Sequence, residues 1–452
     1  MAAVLLLASC TEKKAETKKI LPYPIYKKEL ANGLKVVTIE YDSPGIAAFY
    51  AVVRVGSRDE VEQGKSGFAH FFEHMMFRGT DKYPKDKYDE VLKSIGASAN
   101  ANTWLDRTLY HMTGNASMLN EMFMLESDRF MNLKYSEGDF KAEAGAVKGE
   151  YTKNSSNPME QLDEVMNDSA FQSHTYKHTT MGFFKDVVDM PNQYKYSLEF
   201  FKRFYRPEYT TLLVVGDVKH ENVEKLAEKY YGKWEKGNFV NTIPEEPAQT
   251  KTQYCHVQNP AYPPVVQLNF KTPKYSDTDT NVFALDILSS VLFSERSDLY
   301  KKLVVKEQKV RSLSGGSFFT RDPYLFQVSA TLVNASDMQY VKDEIMKAMD
   351  EVKTKAVDSV MLAETKSNLK YSFAMGMNSA DAVANNLSYF IWLTGDPESL
   401  NNAYSMYEII SAADLKKAAE KYFNSTSQTF ATISPDATSP FAGSQAMDKP
   451  KM

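Results

Sequence analysis

Cysteine is nearly missing from this 452-residue chain, which has only Cys10 and Cys255. With Cys10 consumed at the N-terminus, as argued below, Cys255 has no partner for an internal disulfide, so stability must come from packing. A surplus of positive charge is also missing. Lys and Arg number 53 against 58 Asp and Glu, for a net charge of -5. That balance, with no basic domain, excludes the electrostatic footprint of phosphate-backbone binding, and nucleic acid is not an expected partner. Beyond the N-terminus, no stretch approaches the ~20 uninterrupted apolar residues of a membrane-spanning helix. Histidine is scarce at 7 residues, so histidines in a pattern carry weight.

The rest of the composition is that of a globular protein: 43% hydrophobic, 12% aromatic and 25% charged residues. The length exceeds what one hydrophobic core supports, which predicts two domains of roughly 200 residues. The first residues, Met1-Ala-Ala-Val-Leu-Leu-Leu-Ala-Ser-Cys10, form a short apolar run that ends in small residues before a cysteine, with a Lys-rich stretch after it. This is a targeting segment rather than part of the fold. It resembles a bacterial lipoprotein signal, with Leu7 to Cys10 as the cleavage box and Cys10 as the lipid anchor. The resemblance implies a periplasm-facing lipoprotein of the cell envelope.

Asn32-Gly33, between two short strand-like runs, predicts a hairpin, and residues 47–55 read as a further strand. The first half closes with a helix, a Phe-Tyr pair, a polar break and the strand 210–215. The second half closes the same way, with helix 412–422, a Tyr-Phe pair and strand 429–433, about 218 residues later. This repeated ending predicts an internal duplication. The polar stretch from Glu235 to Thr252, with Pro244 and Pro247, suits a linker. The boundaries that follow are residues 1–25 for signal and tether, 26–238 for the first domain, 239–258 for the linker, 259–438 for the second domain and 439–452 for a polar tail.

The chemistry centres on Gly67-Phe-Ala-His70-Phe-Phe-Glu73-His74, followed by Met-Met-Phe-Arg-Gly79. Ser66 could cap the start of a helix here and Gly79 its end. His70 and His74, four apart, then share one helix face and can converge on one cation. Glu73 lies near that face, offset so as to reach a metal-bound water rather than the metal. Catalytic zinc takes at least a third protein ligand and keeps one position open. Glu150 is assigned that role, in a helix opened by Ser136 and Asp139, with Glu143 two turns earlier on the same face. Gly145 and Gly149, each costing about 1 kcal/mol in a helix, predict that another helix backbone packs closely there.

These residues resemble the inverzincin zinc metallopeptidases, the family of pitrilysin, insulin-degrading enzyme and the mitochondrial processing peptidase. The likeness extends to Asn32-Gly33-Leu34, Gly56-Ser57-Arg58-Asp59-Glu60, Phe77-Arg-Gly79-Thr80, and Asn100-Ala101-Asn102-Thr103 with Asp106, Thr108 and Tyr110. It implies Zn2+ held by His70, His74 and Glu150, Glu73 as the catalytic base and Glu143 as a supporting carboxylate. It implies that Asn100, Ala101, Asn102 and Thr103 form an edge strand to which peptide substrates add. It also implies an α+β fold of two homologous domains, each an antiparallel sheet backed by helices, facing each other around a chamber.

Two departures from the family stand out. Ala144 occupies the position after Glu143, where the family usually has Arg. In the segment Leu299 to Ser312, Val304 and Arg311 stand where an Arg and a Tyr normally reach into the active site. The second departure predicts that a homologous partner subunit supplies those groups, a homodimer being the other arrangement. The expected function is a zinc-dependent endopeptidase acting on peptides or unfolded segments, as the zinc-bearing subunit of a two-chain enzyme. The rivals are a non-catalytic metal-binding scaffold or peptide-binding subunit, and a metal hydrolase acting on something other than peptides. His174 and His178, in a polar segment without an intervening acid, read as a solvated loop, and Ser314-Gly315-Gly316-Ser317 as a turn or strand end.

Overall fold

The computed structural model describes residues 19–441; the Leu7 to Cys10 box and the last residues of the tail lie outside them. One sheet contains β1 (Tyr26–Glu29), β2 (Lys35–Glu40), β3 (Ile46–Val53), β4 (Ser98–Thr103), β5 (Thr108–Asn115) and β6 (Thr210–Gly216), in the order β1-β2-β6-β3-β5-β4. The helices of this half are α1 (Phe68–Met75), α2 (Lys85–Ser94), α3 (Leu119–Asn132), α4 (Glu137–Asn154), α5 (Pro158–Ala170), α6 (Phe184–Asp189), α7 (Tyr194–Phe204) and α8 (His220–Tyr231). The other sheet contains β7 (Gln253–Gln258), β8 (Val265–Lys271), β9 (Val310–Ser317), β10 (Leu325–Leu332) and β11 (Gln428–Ser434), in the order β7-β11-β8-β10-β9. Its helices are α9 (Thr280–Phe293), the single turn α10 (Asp298–Tyr300), α11 (Met338–Thr354), α12 (Ser359–Met375), α13 (Ala380–Thr394), α14 (Ser399–Ile409) and α15 (Ala412–Tyr422).

Without β1, the two sheets have the same topology. The last strand of each half, β6 or β11, lies parallel to the first strand, β2 or β7, and antiparallel to the second, β3 or β8. The remaining pairs, β3 with β5, β5 with β4, β8 with β10 and β10 with β9, are antiparallel. The fold is thus α+β with two homologous halves, and each sheet carries one parallel pair within an otherwise antiparallel set. The Asn32-Gly33 turn joins β1 to β2 as a hairpin, with Gly33 at φ +87°.

The halves exchange helices. Side chains of β3 alternate between faces, as the two-residue period of a strand requires. Phe49, Ala51 and Val53 point into a core with Phe71, Met122 and Phe123 of their own half. Ala48, Tyr50 and Val52 point the other way, into a core shared with Val383, Leu387 and Ile391 of α13. With both faces covered, β3 reads as an unbroken apolar run, Ile-Ala-Ala-Phe-Tyr-Ala-Val-Val. In return, Leu162, Met166 and Ala170 of α5 pack against Cys255 and Val257 of β7 and Ala431 and Ile433 of β11.

Polar contacts pin the same boundary. The Arg58 Nε–H donates to Asp322 Oδ2 at 2.5 Å, and His174 Nε2 lies 3.0 Å from the same oxygen. Tyr176 OH donates to Asp106 Oδ1 at 2.7 Å, while the Arg321 N–H donates to Asp106 Oδ2 at 2.9 Å. His174 and His178 are therefore buried, not solvated: their polar segment folds over the junction, where Asp322 of the other half partners His174.

Three sequence boundaries shift. Residues 253–258, placed in the linker, form β7, paired in parallel with β11. Within the preceding extended stretch, Glu246 accepts backbone N–H groups of Gln172, Ser173 and His174, so it is fastened down. The end of the predicted tether packs onto the second half, with Leu21 buried and its N–H donated to Asn401 Oδ1. Ser439 and Phe441, predicted as polar tail, are buried against β11, where Phe441 meets Phe430. Ser314 to Ser317 ends strand β9, and a Cβ on Gly315 would fall 2.2 Å from the Phe293 ring, so only glycine fits there. Cys255 is a buried free thiol.

Candidate active site

Helix α1 starts without a side-chain cap, because Gly67 at its N-cap has φ +93° and no side chain. Ser66, the predicted cap, instead donates its hydroxyl to Asp186 at 2.6 Å. Two amides of the first turn that lack partners within the helix are taken by Glu60, which accepts from Gly67 N at 2.7 Å and Ala69 N at 2.6 Å. A buried carboxyl at this end satisfies two orphan donors, while burial raises its pKa to about 8. The helix tightens into a 3₁₀ turn at Met76–Arg78 and stops at Gly79, with φ +90°. A Cβ there would meet Tyr83 O at 2.3 Å, which explains the glycine.

Helix α4 opens with the predicted reciprocal cap: Ser136 Oγ accepts from Asp139 N at 3.1 Å, and Asp139 Oδ2 accepts from Ser136 N at 3.0 Å. Its buried stripe, Phe140, Glu143, Ala144, Val147 and Tyr151, packs against the first-half core and sets the helix beside α1. Gly145 and Gly149 are not the contact. Both are exposed, and a Cβ on either would meet nothing within 4 Å, because the stripe facing α1 lies on the other side of the helix.

The two helices bring His70, His74 and Glu150 together, with one donor atom from each lying within 4.8 Å of the other two. Glu150 Oε2 is 3.3 Å from His74 Nε2 and 3.8 Å from His70 Nε2. Donors about 2.0–2.2 Å from a tetrahedral zinc stand roughly 3.3–3.6 Å apart, so the Glu150–His74 separation matches that ion and the Glu150–His70 separation is slightly wider. The His74 Nδ1–H donates to Glu143 Oε1 at 3.0 Å, so that in the neutral imidazole the Nε2 lone pair would face the Glu150 carboxylate and be free to ligate a metal.

Glu143 is held from its other side by Arg78, whose Nε–H donates to Oε2 at 2.6 Å. Its hydrogen bond to His74, with the Arg78 contact, keeps Glu143 below the usual carboxylate range, and the same His74 bond raises the His74 pKa. Burial lowers the His70 pKa, which favours the neutral, ligating imidazole. Glu73 Oε2 accepts from Thr103 Oγ1 at 2.7 Å, and Glu73, His74, Phe77, Arg78, Lys85 and Glu143 bound a cleft of about 360 Å³.

Strand β4, carrying Asn100, Ala101, Asn102 and Thr103, is the edge of its sheet beside α1. Trp104 N–H donates to Arg107 C=O, so by strand alternation the backbone groups of Ala99, Ala101 and Thr103 face the open side. Asn100 Oδ1 caps the Ala101 N–H at 2.9 Å, and half-buried Arg107 donates to Asn102 O at 2.7 Å. Burial lowers the Arg107 pKa to about 10, and the Glu73 charge opposes that shift.

Sequence reasoning missed Glu60, Arg78 and Arg107. Arg78 had a signal, since it lies four residues after His74 along the same run. The other two act through chain reversals that no local period reports. In the second half, Val304 lies in the π-helical turn Lys301–Lys306, and Arg311 is exposed on edge strand β9. Among the described residues, Glu40, His220 and Glu221 also cluster. There, both Glu40 oxygens are already taken, by Lys219 and by His220 as Glu40 closes the start of α8.

Residues 35–182 match the family model described as insulinase, peptidase family M16, and residues 193–369 match the M16 inactive domain. The chain is 27% identical over 419 residues to the zinc protease PqqE of Helicobacter pylori, covering 90% of this chain and 92% of that protein. It is 23% identical to a probable mitochondrial-processing peptidase subunit beta of Arabidopsis thaliana, covering 90% and 77%. A solved Helicobacter pylori protease superposes with a TM-score of 0.84 at 25% identity, covering 91% of this chain and all of that one. A Pseudomonas fluorescens structure described as a peptidase M16 inactive domain superposes at 0.80 with 14% identity, covering 91% and 98%, a likeness of fold alone. Matches that take in both halves of the chain, at its first sheet and its second, show that it belongs to the M16 family of zinc-protease-like proteins.

Proposed function

We propose that this chain is a zinc-dependent endopeptidase, with His70, His74 and Glu150 as metal ligands and Glu73 as base. The observation that carries the proposal is the convergence of those three donors beside a carboxylate held by Thr103. Zinc bound there would polarise the scissile carbonyl and lower the pKa of a bound water. Thr103 holds Glu73 Oε2, which leaves Oε1 as the atom that would accept a proton from the attacking water and return it to the leaving amine. Glu143 and Arg78 hold the His74 ring in the ligating tautomer. A peptide adding to β4 would use the outward groups of Ala99, Ala101 and Thr103, displacing the Asn100 side chain from the Ala101 N–H. Binding through the backbone supports broad sequence tolerance.

Val304 and Arg311 support a two-chain enzyme in which a homologous partner supplies the missing Arg and Tyr. They equally favour a second reading, a metal-binding or peptide-binding subunit without turnover. Cleavage of a quenched peptide mixture by the purified chain, with and without a chelator, separates the readings. Chelator-sensitive turnover by the chain alone removes the need for a partner, and turnover only after a homologous chain is added supports the two-chain enzyme. Zinc binding without turnover in either case leaves the non-catalytic reading. The Leu7 to Cys10 box places the protein, in this proposal, on a bacterial envelope surface facing the periplasm, and loss of fatty-acid labelling in Cys10→Ser tests it.

A further inference from the structure

The second half has a half-open cavity of its own, about 450 Å³, bounded mainly by α9, α12, α13 and α14. Its place in the duplication matches that of the zinc cleft. Helix α9 follows β8 as α1 follows β3, and α12 follows α11 as α4 follows α3. The lining is different in kind: rings of Phe319, Phe373, Tyr389 and Phe390 surround a single carboxyl, Asp286. Asp286 accepts the Tyr407 hydroxyl at 2.6 Å, and among the described residues no cationic side chain is paired with it. Burial raises its pKa. Tyr404 is on the same lining, but its hydroxyl is wholly buried and does not face the cavity.

Asp286 is half-buried and brings one acidic group into an aromatic recess, with the Tyr407 hydroxyl on Oδ2 and Oδ1 left for a ligand. Aromatic faces attract cations, and a desolvated cation beside a carboxylate gains from both. An anion would meet Asp286 unfavourably, and a neutral apolar guest would make no use of Oδ1. We propose that this cavity binds a primary ammonium carried on an apolar stem, with the nitrogen on Asp286 and the stem against the aromatic wall. That chemistry has two sources, a lysine side chain of a polypeptide and a free alkylamine.

Calorimetric titration of the zinc-loaded full chain with hexylammonium and with 1-hexanol tests the proposal. The expected result is at least a tenfold preference for the ammonium. Asp286→Asn, nearly isosteric, should erase that preference while leaving hexanol affinity and zinc content unchanged. Ala403→Leu, which fills the cavity from α14, should abolish binding of both and guards against a folding artefact at position 286. A lysine peptide titrated beside its norleucine counterpart distinguishes the sources. The same preference for lysine assigns a polypeptide side chain, and binding of hexylammonium alone assigns a free amine. Equal affinity for ammonium and alcohol in the native chain, no binding of either, or an undiminished preference in Asp286→Asn overturns the proposal.

Discussion

The two halves share a strand order and differ in what their corresponding helices carry. In the first, α1 presents His70, Glu73 and His74 to Glu143 and Glu150 on α4. In the second, α9 carries no histidine and a single carboxyl, Asp286, and α12 buries only Leu362. A sheet with covering helices is a packing solution, indifferent to which side chains stand on the helix face that packing does not use. In the proposed enzyme that face carries the catalytic groups, and it differs between the halves while strand order and pairing sense are the same.

If the division of labour is real, changes at the first-half face should alter reaction rates and metal affinity while leaving the fold intact. The largest effect is expected from Glu73→Gln, which should retain zinc by metal analysis and lose about 10²–10⁴-fold in peptide turnover, the usual worth of a general base. Glu143→Gln should weaken zinc affinity about 10–100-fold, measured by competition with a chelator, because it frees the His74 tautomer. Changes at the exchanged helices should act on the fold instead. Leu387→Ala, in the core under β3, should lower unfolding stability by about 2–5 kcal/mol with zinc stoichiometry unchanged.

The smallest effect, at the junction of the halves, depends on pH. Arg58 and His174 hold the Asp322 carboxyl well below its ordinary range, against the opposing effect of burial. A depressed carboxylate binds fewer protons folded than unfolded. Its stabilisation is therefore present above the unfolded pKa of about 4 and is lost as the pH falls toward the folded value. Asp322→Asn should melt lower than the native chain at neutral pH, and the two melting curves should converge in acid. A constant gap across that range would show that the Arg58 contact acts through shape rather than charge.

Local patterns made the first half readable. His70 and His74 follow the helical period, the Ser136 and Asp139 cap is reciprocal as predicted, and Asn32-Gly33 turns its hairpin. Distant partners made other parts unreadable. His174 looked solvated because Asp322, 148 residues away, is invisible to a local window. Gly145 and Gly149 misled because spacing gives a helix face without saying what it meets, and here it meets solvent. The parallel pairs β2 with β6 and β7 with β11 escaped notice because each joins strands from opposite ends of its half. The exchange of α5 and α13 was equally hidden, since an amphipathic stripe shows that a helix packs and not on which sheet.

That exchange constrains how such a chain could be divided. Either repeat made alone would expose an oily sheet surface and a helix with nowhere to dock, a species prone to stick to its neighbours. Two copies could cure this by trading helices, but the remedy would weaken on dilution. A covalent join holds the donor and the acceptor at high effective concentration, so that covering the sheets no longer depends on how much protein is present.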